Sequence, residues 1–182
     1  MELIKMSENR VDPTVAGLFL VAFITLVFGL LGLDLFQNFD VPGYVSDYLL
    51  FAGGIIPTIS LVLLVFAYMA GKVGNAFAVA LFAFVAVALF AVTIAVAGGA
   101  GTPFVALAFF FLLFTLVAFF IGAPKLLVLM LLFVTFLFLF VGLFFIEGEK
   151  AYAIAFGLFG ILSFLAAGYL ALALSTQKFP VF

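Results

Sequence analysis

Apolar residues run through this chain in long blocks broken by short polar or glycine-rich stretches. A helix needs about 20 mostly apolar residues, at roughly 1.5 Å each, to cross a hydrocarbon layer. Six blocks meet that length: approximately Val15 to Leu33, Tyr48 to Ala70, Ala76 to Ala97, Phe104 to Ile121, Leu126 to Ile146 and Ala151 to Leu174. The breaks carry turn chemistry: Gly71-Lys-Val-Gly-Asn75, Gly98-Gly-Ala-Gly-Thr-Pro103, Gly122-Ala-Pro-Lys125 and Glu147-Gly-Glu-Lys150. The pattern predicts an all-α fold with six transmembrane helices, residues 1–182 forming a single membrane domain.

Composition sharpens this. Hydrophobic residues make up 70% of the chain and charged residues 8%, with a mean hydropathy of +1.58. Soluble domains hold roughly 45–50% apolar and about 25% charged residues. The lipid bilayer is therefore the expected solvent, and neither length nor composition leaves room for a sizeable soluble domain. The first residues lack the basic start, short apolar core and cleavage site of a signal peptide.

Charge orients the spans. Lys5, Arg10, Lys72, Lys125 and Lys178 share one side of the six-span arrangement and only Lys150 lies on the other. Positive residues stay cytoplasmic, so both termini are expected in the cytoplasm of a multi-pass cell-membrane protein. The connection from Asp34 to Asp47 is then expected to face outward. Asp34, Asp40, Asp47, Glu147 and Glu149 make the outer side acidic, while cations dominate the inner side. Small anions would be depleted outside and enriched inside over about a Debye length of roughly 8 Å, favouring efflux or equilibration of a weak acid.

The chain has no Cys, Trp or His. That removes imidazole bases, thiol nucleophiles, disulfides and the usual zinc and haem ligands. No nucleophile and base pair suggests an enzyme, and no cofactor or nucleic-acid partner is implied. No Asp, Glu, Lys or Arg falls inside a span, which argues against a buried carboxylate that couples protons to transport. The polar residues left within the spans include Thr25, Thr58, Ser60, Thr93, Thr115, Thr135, Ser163 and Tyr169. Each hydroxyl either bonds back to the preceding helical turn or faces a lumen.

Asp12-Pro13-Thr14 precedes the first span. Asp12 reads as a helix cap and Pro13 as the first helical residue. The alternative places this helix start at a cytoplasmic pore mouth, its free amides available to an anion. Asn75 likewise reads as a cap of the third span or as a neutral donor at the same mouth. Pro57 interrupts the second span beside Thr58 and Ser60, where a freed carbonyl would accept from a protonated acid. Gly157, Gly160, Ala166, Ala167 and Gly168 mark a close helix contact, within or between subunits. Phe138 and Phe140, two residues apart, are expected on different faces of one helix.

Several of these stretches resemble the acetate uptake transporter family of acetate and succinate permeases. Asp12-Pro-Thr-Val-Ala-Gly-Leu18 is similar to its Asn-Pro-Ala-Pro-Leu-Gly-Leu signature, and Gly74-Asn75-Ala-Phe77, with Phe82 beyond it, to its Gly-Asn-Thr-Phe. Gly122-Ala-Pro-Lys125 with Thr135 resembles the family's basic connection and fifth span. Gly157-Leu-Phe-Gly160 followed by Tyr169-Leu-Ala171 has its last-span spacing. The resemblance implies a channel or transporter for small monocarboxylates such as acetate, passive or proton-linked, assembled as a homohexamer with one path per protomer. The Phe, Tyr and Leu at which the family's pore narrows fall here at Val21, Val85 and Val134, and its second-span Gln at Leu63. Asp12, Pro13, Thr14, Asn75, Thr58, Ser60, Thr135 and Tyr169 become candidate path residues. With the polar contacts replaced, two other readings stand beside transport of acetate: a structural membrane subunit, or a channel for a small neutral solute such as ammonia or an amide.

Overall fold

The computed structural model describes residues 13–38 and 44–176. They form six α-helices in chain order: α1 (Pro13–Asn38), α2 (Tyr44–Lys72), α3 (Ala76–Gly98), α4 (Thr102–Phe120), α5 (Lys125–Glu147) and α6 (Lys150–Thr176). Among the described residues there is no strand. All six helices are long and apolar enough to cross a membrane. Even α4, with 19 residues, reaches about 28 Å at 1.5 Å per residue. The chain is a multi-pass, all-α membrane protein.

Each expected apolar block has its own helix, and every helix outruns its block except α4, which ends at Phe120, one residue short of the expected Ile121. α1 continues to Asn38 and α2 begins at Tyr44, so most of the connection expected from Asp34 to Asp47 is helix. Backbone hydrogen bonds carry a helix beyond the point where its side chains stop being apolar. α2 remains helical through Pro57, which membrane helices tolerate because neighbouring groups take up the backbone partners. At the other end of α3, Gly99 adopts φ +63°, and the Ala100 N–H donates to the Ala95 carbonyl at 2.9 Å. That left-handed closure needs a residue without a Cβ.

α1 lies at the centre and α4 at the edge: 61% of the apolar window of α1 is buried, against 28% for α4. One face of α1 packs on α6 through glycines. A Cβ at Gly160 would stand 2.5 Å from the Gly29 nitrogen, and one at Gly32 would stand 2.6 Å from both the Ala153 oxygen and the Gly157 nitrogen. Without a hydrophobic effect inside lipid, such close packing is what joins helices. The small residues Gly157 and Gly160 therefore make a contact within the subunit, whereas Gly168 faces open space. α4 and α5 approach in the same manner, a Cβ at Gly101 falling 2.5 Å from the Gly142 oxygen.

Phenylalanines fill the wider spaces. Phe136 and Phe140 of α5 stack on Phe159 of α6, with ring centroids 5.1 and 5.6 Å apart. Phe138 points the other way and is buried, as its two-residue offset from Phe140 requires. The face of α1 away from α6 meets α3 and α5, and the filling there is incomplete.

Candidate functional site

Two cavities lie beside α1. The first, near the end of the bundle that carries Lys72 and Lys125, has a volume of about 140 Å³. Its polar wall comes from two helix starts. Asn75 caps α3, its side-chain oxygen accepting from the Ala78 N–H at 3.1 Å, while its Nδ2 donates to the Thr14 hydroxyl of α1 at 3.1 Å. Asn75 is thus a cap of α3 through its oxygen and a link to α1 through its nitrogen. Leu18, Phe77, Phe82 and Leu127 supply apolar wall, with Leu170 and Leu174 of α6 closing one side. Phe82 is fully buried and its ring occupies the place where Gly17 would otherwise carry a Cβ. Larger side chains at residue 17 would expel that ring from the cavity wall.

The second cavity is a narrow waist of about 20 Å³ near the middle of the bundle, enough for roughly one water-sized sphere. Val21, Val85 and Val134 all line it. They come from three helices but lie at one depth, eight or nine residues beyond the first residues of α1, α3 and α5. Leu81 lines both cavities, so the chamber and the waist adjoin at this side chain. Four residues along α3 from Leu81 to Val85 correspond to about 6 Å of advance.

Beyond the valines the waist is closed by rings. Phe138 of α5 stacks on Phe111 of α4, centroids 5.1 Å apart and planes 6° from parallel, and meets Phe28 of α1 edge-on at 5.9 Å. All three line the waist and all are buried. Thr25 is the one hydroxyl on its wall. That side chain is 5% exposed, and its Oγ lies 3.0 Å from the Val21 and Ala22 carbonyls, to which it donates its proton. Moving a bare carboxylate into such surroundings costs of order 20 kcal/mol in an idealised Born treatment, and still several kcal/mol after relaxation.

The remaining candidate path residues are placed elsewhere. Thr58 is exposed on the outside of α2. Ser60 is fully buried and donates to the Ala86 carbonyl, tying α2 to α3. Thr135 donates to Leu131 within α5 at 2.9 Å and lines neither cavity, although its neighbour Val134 does. Tyr169 is half-buried beside the cavity-lining Leu170 without lining either cavity itself. Leu63, at the aligned Gln position, is fully buried. Pro13 begins α1, and Asp12 lies outside the described residues.

Sequence reasoning missed Leu81, Phe111, Met130 and Phe138 as wall residues, and listed Thr25 only among the intramembrane hydroxyls. The signal that finds most of them is helical spacing from the three valines. Thr25 and Phe28 follow Val21 by four and seven residues, Leu81 and Leu89 flank Val85 by four, and Met130 and Phe138 flank Val134 by four.

A six-helix membrane bundle with an interrupted, mostly apolar internal path is the class of protein this arrangement defines. No family model matches the chain, and no curated protein matches it by sequence. Its fold is similar to that of the solved bacterial acetate channel SatP, with a TM-score of 0.63 at 19% sequence identity, over 96% of this chain and 100% of that one.

Proposed function

We propose that this chain is a passive membrane channel for small monocarboxylic acids, acetate among them, with one path through each protomer. The observation that carries the reading is the convergence of Val21, Val85 and Val134 on one waist, which shares Leu81 with the chamber that holds Asn75 and Thr14. The chamber is comparable to the cavity of about 150 Å³ that accommodates benzene in another protein, so a two-carbon acid fits. The waist is narrower than such a solute, and passage requires Leu81 and the Phe28, Phe111 and Phe138 rings to change rotamer. Side chains of this kind, rather than a moving domain, form the gate.

The fold of an acetate channel supports the substrate class. The lysine-bearing end is assigned to the cytoplasm, with both termini there and the protein in the cell membrane. Assembly as a homohexamer follows from the same family resemblance. The test is an acetate gradient across liposomes containing the purified chain, with a pH dye inside. Acidification faster than in empty liposomes supports the channel; identical rates make the chain a structural membrane subunit.

A further inference from the structure

The chamber has two unlike ends. Thr14 near the start of α1, Asn75 capping α3 and Pro124 just before α5 line it where those helices begin. Leu18, Leu81 and Leu127 line it about one to two turns further along the same helices. Among the described residues of this wall, Thr14 and Asn75 alone have polar side chains, none is charged, and nearly all the surface that faces the cavity is apolar. A solute with a small polar head and an apolar tail matches such a wall. Acetate, whose tail is one methyl group, uses little of it.

Size points the same way. The chamber holds about 140 Å³, close to the cavity of about 150 Å³ that benzene occupies in another protein. Butyric acid has as many non-hydrogen atoms as benzene, and acetic acid has fewer. Acetate therefore leaves part of the leucine wall without partner atoms, and that gap forfeits dispersion energy. Each methylene that covers it is worth about four-fold in affinity. The gain ends where the chamber does, because the adjoining waist of about 20 Å³ has room for roughly one water-sized sphere and not for a tail.

We propose that the chamber is a tail-binding site and that the solute it selects is a short-chain fatty acid of about four carbons, its head beside Thr14 and Asn75 and its tail directed toward Leu81. The inference rests on the channel reading and adds the length of the permeant's tail. Leu127, in the first turn of α5, is a specificity-determining residue of this wall.

The test uses the full-length chain and three probes with one head and different tails: acetate, butyrate and hexanoate. Each competes with labelled acetate for entry into strongly buffered liposomes, and each is added to the purified protein in detergent to measure the rise in Tm that a bound ligand produces. Apparent affinity is expected to increase about four-fold per methylene from acetate to butyrate, with hexanoate no better than butyrate. Leu127→Phe, which fills the chamber, is expected to shrink the advantage of butyrate over acetate at least about four-fold. Leu127→Ala, which enlarges it, is expected to let hexanoate overtake butyrate. Equal affinity for all three acids overturns the tail site and leaves the channel standing. A gain that runs unbroken through hexanoate, alike in wild type and both variants, marks partition into lipid or detergent and also overturns it. Labelled acetate uptake equal to that of empty liposomes removes the channel reading, and the Tm series then decides the tail site alone.

Discussion

The two faces of α1 are built from the same apolar alphabet and do opposite things. Toward α6, Gly29 and Gly32 meet Gly157 and Gly160 so closely that a single added carbon would overlap backbone. Toward α3 and α5, Val21, Val85 and Val134 line a gap. Residues without side chains let two cylinders touch along a line, leaving nothing between them. Medium, branched side chains hold three cylinders apart, and a triangle of such contacts has an unfilled centre. Hydrophobicity alone does not distinguish the faces; side-chain size and the number of helices meeting there do.

The sharpest way to break that contrast is to give the closed face a side chain. Gly160→Leu places its Cβ 2.5 Å from the Gly29 nitrogen, where only separation of two backbones brings relief. Its expected cost exceeds the 1–3 kcal/mol typical of overpacking, at about 4 kcal/mol or more. Loss of monodisperse protein in detergent, or a large fall in Tm, is the readout. A wild-type melting profile would mean that α1 and α6 are not joined at this seam.

On the open face one added carbon has a different fate. Val85→Leu adds a methylene to a waist of about 20 Å³, so stability is expected to change by less than about 1.5 kcal/mol. Liposome flux of acetate or acetamide is expected to fall about ten-fold, because an apolar constriction conducts only while it can wet. Full flux in Val85→Leu would place the path somewhere other than between α1, α3 and α5. At the mouth of that face, Asn75→Ala removes both the cap of α3 and the link to Thr14, an expected loss of about 1 kcal/mol. Asn75→Asp keeps the capping oxygen and sacrifices the amide donor. Comparing the Tm of the two variants separates the cap from the inter-helix link.

The helices were legible because lipid demands long apolar blocks, and the breaks announced themselves through glycine, proline and lysine. Helix ends were less so: α1 reaches Asn38 and α2 starts at Tyr44, since backbone bonding continues where hydropathy stops. Family resemblance, not hydropathy, made Val21, Val85 and Val134 legible as a group, and all three line one cavity. Its full wall was not, because a helix apolar on every side has no stripe to mark the inward face. Likewise Ser60 could not be assigned beforehand to Ala86, a partner on another helix that no local pattern reveals. Gly17 and Phe82 were separately notable in the sequence, and only the fold shows that the ring occupies the glycine's missing side chain.

The smallest effect discriminates most finely. Thr25 and Thr135 are both buried, and both donate to the carbonyl four residues back. They differ in their surroundings: Thr25 is among the residues lining the waist, and Thr135 lines neither cavity. Thr135→Val removes a hydroxyl proton from a carbonyl that also serves the helix, so stability is expected to move by about 0.5 kcal/mol or less. Acetamide flux is expected to stay at the wild-type level, because Thr135 lines neither cavity. Loss of flux in Thr135→Val would mean that this threonine acts through the bend of its helix rather than through a cavity wall.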